Sequence, residues 1–334
     1  MTEPSAPLPL SVLDTTITTP GMTVAEALGH SLTLARHAED LGYTRVWYTE
    51  HHNQAGVSSA ATSIVIGYVA AHTRRIRVGS GGIMLPNHPP LAIAEQFGTL
   101  ESLHPGRIDL GVGRASGSSP ATMRALRRDP TATAKFPGDV AELRSFLSDH
   151  SAVTGVEAIP GRGTNVPVFI LGSSTDGAKT AAALGLPFVF AGHFSPAAME
   201  EATTVYRHRF EPSPTVLRPY LIVSANLIAA HTEEAARTEY RGMLRSEGRK
   251  AAAHIGADHF SDLQMDEVLD AGLGDQLAGM FHNTALGTGP QVAQTLRTLA
   301  ERSNADELLL VPQAVQPQAR LRALQLTAAT WNMK

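Results

Sequence analysis

The chain has 334 residues, 43% of them hydrophobic and 17% charged. That is enough apolar side chain for a large buried core and too ordered a composition for a disordered polymer. Net charge is −4, from 27 Lys and Arg against 31 Asp and Glu mixed along the chain, so there is no basic footprint for nucleic acid. Cysteine is absent, which excludes disulfides, thiol nucleophiles and Cys-type zinc sites.

No segment reaches the ~18 uninterrupted apolar residues of a membrane span. The N-terminal "MTEPSAPLPLSVLD" has no basic residue ahead of a long apolar core, so the expected location is cytoplasmic. A strand is expected at Ser11 to Asp14. Thr23 and Glu26 then stand at capping-box spacing, Leu28, Leu32, Ala35, Ala38 and Leu41 line one helical face, and Gly42 supplies the stop. A second strand runs from Arg45 to Glu50. "SAATSIVIGYVAAHT" reads as a helix, "IRVGSGGIML" as a strand, Pro89 and Pro90 open the next helix, and Pro105-Gly106 ends it before the strand "RIDLGVG".

Beyond this point a helix is expected around Val140 to Leu147, then an irregular stretch from Ser151 to Pro167. "VFILGSS", "FVFAGHF" and "LIVSANLIA" read as three strands, each leading into a helix: Asp176 to Leu184, Ala197 to Arg209, and Glu233 to Ser246. A last helix, strand and helix fall at Val292 to Ser303, Leu308 to Val311 and Arg320 to Trp331. About eight strands alternating with helices, with runs apolar enough for burial on both faces, predict an α/β fold. The expected architecture is an eight-stranded (β/α) TIM-type barrel in one domain over 1–334, with irregular insertions near 115–165 and 249–290; an open doubly wound sheet has the same alternation.

In a barrel the C-terminal strand ends form the mouth, and here they are polar or glycine-rich on successive strands. They are Glu50-His51-His52-Asn53, Ser80-Gly81-Gly82, Gly113-Arg114, Gly172-Ser173-Ser174 and Gly192-His193-Phe194. At "VFILGSSTDGAKTAAALG" a strand enters a Gly-Ser-Ser turn and a helix follows at once, which gathers open amides and a positive helix end where a phosphate would be held. Simple capping by Ser174 or Thr175 explains that stretch equally well. Arg114 is placed to pair with such a phosphate. "GVGRASG" lacks dinucleotide-fingerprint spacing and follows the fourth strand, not the first, so a nicotinamide site is set aside. Adjacent side chains on extended backbone point to opposite faces, so His51 and His52 cannot chelate one ion together; a metal would need Glu50, His52 and groups from elsewhere, and none is assigned. One histidine facing the mouth for proton transfer, and the other packed, is the economical arrangement, with a purely structural pair as its competitor. Two glycines within the third strand admit either a planar ligand or a plain bulge.

These motifs, with "LGYTRVWYTEHHN", "VGSGGIMLPNHPP", "GRIDLGVGRASGS", "FILGSSTDGAKTAAALGLPFVFAGHF" and the closing "ADELLLV", resemble the bacterial luciferase-like flavin-dependent monooxygenases from near residue 10 to near residue 330. The resemblance implies a (β/α) barrel, a homodimer, and FMN as cofactor, with reduced FMN supplied by a separate flavin reductase and used with O2 on a small organic substrate. It implies His51 as acid/base with Glu50 beside it at the flavin ring, and a non-prolyl cis peptide at Gly81 and Gly82 beneath the ring. The phosphate site would comprise Arg114, Ser173 and Ser174, with Gly177 and Ala178 as backbone donors. Ser116 and Ser119 stand where related sequences often have a proline and an acidic residue, and 249–290 does not resemble the long luciferase lid, so light emission is not expected. A deazaflavin-dependent hydride-transfer enzyme and a non-catalytic flavin-binding protein are the two alternatives.

Overall fold

A computed structural model describes residues 8–115, 119–129, 131–253, 260–331 and 333. Among these residues nine strands form one parallel sheet: β1 (Leu10–Asp14), β2 (Arg45–Tyr48), β3 (Arg77–Met84), β4 (Ile108–Gly113), β5 (Val168–Gly172), β6 (Phe188–Phe190), β7 (Leu221–Ala229), β8 (Thr284–Gly287) and β9 (Glu307–Pro312). The first seven pair in succession and β9 closes the ring between β7 and β1, giving the expected eight-stranded TIM-type barrel. β8 lies outside the ring, beside Asn226 to Ala229 at the upper end of β7. The sequence reading missed it because four residues are too short for a visible alternation.

The described helices are α1 (Val24–Asp40), α2 (Thr62–Ala71), α3 (Pro90–Leu103), α4 (Pro120–Ala125), α5 (Ala132–Leu147), α6 (Thr175–Ala183), α7 (Met199–Arg209), α8 (Glu233–Ala253), α9 (Asp262–Val268), α10 (Gly274–Met280), α11 (Gly289–Ser303) and α12 (Pro317–Trp331). Both halves of the Thr23–Glu26 capping box are made, and Gly42 takes a φ of +83° after α1 ends. α5 begins eight residues before the expected Val140, with Pro137 inside it; Phe136, Val140, Leu143 and Leu147 form a buried face that outweighs the bond proline cannot make. The supposed insertion at 249–290 is largely helical, built from the end of α8, α9 and α10. Ser116 lies outside the described residues, and Ser119 caps α4 by accepting the Thr122 amide. No described helix is long and apolar enough to cross a membrane.

The main core lies between strands and helices; a second cluster, Leu13, Trp47, Phe169, Val189, Ile222, Leu309 and Val311, fills the barrel. Below it a buried ion network seals the N-terminal end. Arg45 bonds Asp109 at 2.8 Å and Glu307 at 2.9 Å, and Glu307 also accepts from the Tyr220 hydroxyl at 2.7 Å. The glycines of β3 and β4 make room for this filling. A Cβ on Gly79 would lie 2.8 Å from Trp47 Nε1, and one on Gly111 would lie 2.7 Å from Leu171 Cδ1. The floor of the mouth is therefore solid and apolar.

Candidate active site

Chain parity decides what the end of β2 offers. Trp47 points into the barrel, and His51, two steps of two later, bonds Thr49 through Nδ1 at 3.0 Å. Thr49 in turn contacts the Ser59 hydroxyl at 3.2 Å, so the ring is oriented from behind. Burial pushes the His51 imidazole below its ordinary value, Lys250 and His52 add to this, and the Glu50 charge opposes it. His51 is thus a neutral, half-buried base at neutral pH.

Glu50 and His52 take the other side. Glu50 is 1% exposed, and its Oε1 accepts from His52 Nε2 at 2.7 Å and His88 Nε2 at 2.9 Å, while Oε2 accepts the Met84 amide at 3.0 Å. Burial alone would raise this carboxyl, but the His88 hydrogen bond and charge, then His52 and the Met84 amide, hold it below the usual carboxylate range. It is an ionised group already committed to four donors, the Asn87 side-chain amide at 3.4 Å being the fourth, and it ties the end of β2 to the end of β3. Ligand atoms of Glu50, His52 and His88 lie within 4.8 Å of one another, so His88 is a third group from elsewhere of the kind a metal would need. These atoms are, however, bonded to each other, and neither imidazole has a described Nδ1 partner of the sort that orients a metal-binding histidine. His88, within "VGSGGIMLPNHPP", has no local pattern that marks it, because its partner Glu50 is 38 positions away.

The peptide between Gly81 and Gly82 is cis, and the β3–β4 register shifts between Ser80 and Ile83. Crowding by the protein itself accounts for both glycines: a Cβ on Gly81 would lie 2.5 Å from Leu13 Cδ1, and one on Gly82 2.9 Å from the Gly111 carbonyl. The backbone contact makes Gly82 a requirement of the fold whether or not a ligand approaches from above, whereas the Leu13 tip facing Gly81 can shift.

At the end of β5 the capping alternative fails. Ser174 precedes α6 but makes no side-chain cap bond. The Ala178 amide is spent on the Ser174 carbonyl at 3.3 Å, which removes it as a ligand donor. Among the described residues the amides of Thr175, Asp176 and Gly177 have no acceptor, and the hydroxyls of Ser173 and Ser174 flank them. Gly172 and Gly177 let strand and helix approach, since a Cβ on either would lie 3.2 Å from the other's Cα. Arg114, from the end of β4, reaches the same place: Nη2 is 3.8 Å from Asp176 Oδ2, with both side chains exposed. An open helix start, two hydroxyls and a guanidinium are a donor set that could hold a doubly charged oxyanion.

Across the mouth, His193 follows β6 and bonds the Ser224 hydroxyl of β7 through Nδ1 at 2.6 Å. Burial pushes its imidazole down to about 4, with His51 contributing. The sequence reading noted His193 as a strand end without assigning it. Ser224 and Asn226 were hidden inside the apolar run "LIVSANLIA"; their even spacing with the barrel-filling Ile222 was the available signal.

Comparison with known proteins shows the family and the fold. The family model described as luciferase-like monooxygenase matches residues 10–306. A luciferase-like monooxygenase of Escherichia coli (strain K12) is 42% identical over 317 residues, 95% of each chain. The N-acetyl-S-alkylcysteine monooxygenase of Bacillus subtilis (strain 168) is 32% identical over 330 residues, 94% of this chain and 96% of the relative. The solved structure of apo-MsnO8 superposes with a TM-score of 0.89 at 33% identity, covering 98% and 99% of the two chains. Two neighbours at 15% identity share the fold: the oxygenating component of 3,6-diketocamphane monooxygenase from Pseudomonas putida in complex with FMN, covering 96% of each chain with a TM-score of 0.71; and the coenzyme F420 dependent tetrahydromethanopterin reductase of Methanopyrus kandleri, covering 98% of this chain and all of its own with a TM-score of 0.69. The chain belongs to the luciferase-like monooxygenase family of oxidoreductases.

Proposed function

We propose that this protein is an FMN-dependent monooxygenase that uses reduced FMN and O2 to oxidise a small organic molecule. The observation that carries the reading is the convergence of Arg114 on the uncapped start of α6, where amides and hydroxyls have no partner among the described residues. FMN's phosphate fits that donor set: Arg114 supplies a fixed charge, Ser173 and Ser174 supply hydroxyls, and Thr175 to Gly177 supply amides. From there the ring would extend past Gly81 and Gly82 towards His51.

The bound flavin would supply the electrons and activate oxygen. The chain's own groups do the rest. Trp47, Leu13 and Leu171 keep the floor dry, so charge near the ring is poorly screened by water. His51 holds or passes a proton at Nε2, with Nδ1 fixed by Thr49. Glu50 fixes the His52–His88 side of the mouth and does not itself react, its oxygens being occupied by donors.

A reduced deazaflavin acting by hydride transfer is the second reading, favoured by the F420-dependent neighbour of the same fold. The full-length relatives named monooxygenases support the first. We further propose a homodimer and delivery of reduced FMN by a separate reductase.

The test is to supply reduced FMN, O2 and a panel of small metabolites that includes N-acetyl-S-alkylcysteines. The expected product is heavier by one oxygen atom; a wild-type protein that binds no flavin overturns the reading.

A further inference from the structure

We infer that the wall opposite His51, formed by His193, Ser224, Asn226 and Gln313, is a substrate subsite whose fixed hydrogen-bond acceptor, His193 Nε2, selects a neutral molecule carrying an N–H or O–H group. Its placing of substrate on this side rests on the flavin reading, because the phosphate cradle and Gly81–Gly82 occupy the β3 to β5 side of the mouth.

A carbonyl oxygen that can only accept fixes the direction of the amide bonds in this wall. Asn226 Nδ2 lies 2.7 Å from the His193 carbonyl, so the amide must donate there and turn Oδ1 the other way. Gln313 Nε2 then donates to that Oδ1 at 2.7 Å, leaving Gln313 Oε1 as a second acceptor. Ser224 Oγ lies 3.1 Å from the Phe190 carbonyl, 3.4 Å from the His193 amide nitrogen and 2.6 Å from His193 Nδ1. With all three contacts kept as hydrogen bonds, the one hydroxyl hydrogen goes to the Phe190 carbonyl, which also accepts the Gly192 amide at 2.9 Å, and Ser224 accepts from both His193 nitrogens. That arrangement places the ring proton on Nδ1 and the lone pair on Nε2. Nε2 has no hydrogen-bond partner among the described residues and is not one of the fully buried unpartnered atoms, so it keeps some exposure at this strand end. The depressed basicity of this ring, down to about 4, keeps the lone pair bare at neutral pH.

The supports of this wall are buried, Ser224 at 1% and Asn226 at 0% exposure, so its acceptor is held rigidly. With no cation among the four residues, the bare lone pair repels a carboxylate or phosphate and favours an amide, amine-type N–H or hydroxyl.

The experiment uses FMN-loaded protein with 15N-labelled histidine. Nitrogen NMR at pH 7 should show His193 protonated at Nδ1 and bare at Nε2, and Ser224→Ala should release it into a mixture of tautomers. An Nε2–H ring in wild type, or no change in Ser224→Ala, overturns the inference. Ligand-observed NMR then compares probe pairs that differ by one methyl, acetanilide with N-methylacetanilide and phenol with anisole. Wild type should bind the donor of each pair about tenfold more tightly, roughly one hydrogen bond, and His193→Phe should abolish the difference while keeping FMN affinity. Equal binding within each pair, including no binding of either member, overturns the subsite. A loss of FMN affinity in His193→Phe assigns the acceptor to the flavin and overturns it too. Failure of the flavin reading looks different: wild type itself fails to take up FMN, whatever the state of the His193 ring.

Discussion

Glu50 and His88, 38 positions apart, meet at 2.9 Å, and the same carboxylate oxygen holds His52 at 2.7 Å. This contact clamps the ends of β2 and β3 and leaves His51, on the opposite side of the chain, as the histidine of the pair that faces the mouth.

Removing the clamp should destabilise the fold. Glu50→Ala strands the Met84 amide and two imidazoles in a buried place, and ~3 kcal/mol of unfolding free energy is expected to be lost, the low end for a broken buried charge pair. Urea melts of wild type and variant measure it; a loss within ~0.5 kcal/mol, as at an ordinary surface site, would show that the cluster carries no such load. The pH sign follows from the lowered carboxyl: this stabilisation is present above the ordinary value of 4.5 and disappears as pH falls through the depressed folded value.

His51→Ala should lose turnover by ~10²- to 10⁴-fold, the range for a general acid or base, with FMN affinity retained. Rapid-mixing assays and flavin titration on the same preparation check both halves. Unchanged turnover would remove the proton-handling role.

Arg114→Ala should weaken FMN by ~1.5–3 kcal/mol, the worth of a hydrogen bond to a charged group, and leave riboflavin almost unaffected. Parallel titrations with the two flavins test it. Equal losses would mean that Arg114 supports the ring or the fold and not the phosphate.

Acid should act on the His193 side of the barrel before it reaches Glu50. The His193 ring falls from an ordinary 6.5 to about 4 in the fold, chiefly by burial. Between those values the unfolded chain binds a proton that the native chain refuses, so stability falls as pH falls over the interval. His193→Phe should flatten that part of the stability curve; an unaltered slope would contradict it.

The barrel was legible because apolar strands and one-faced helices repeat in strict order, as at Thr23–Gly42 and Pro90–Gly106. β8 was not, since Thr284–Gly287 is too short to show a period, and Pro137 masked the first turns of α5. The open helix start at Ser174 was visible as a strand–turn–helix junction, but only the structure separates an unused cap from a used one. Parity in "TEHHN" foretold that the two histidines diverge. That Glu50 goes with His52, and that His88 joins them, depends on strand pairing across sequence-distant segments. The glycines of β3 suggested an approaching ligand, and the structure finds Leu13 and the Gly111 carbonyl already there.

The most direct test of the account is titration of the wild-type protein with reduced FMN and, in parallel, with the reduced deazaflavin under the same anaerobic conditions. The account predicts saturable binding of FMN, at least about tenfold tighter than the deazaflavin. Tighter binding of the deazaflavin, or no binding of FMN, would contradict it.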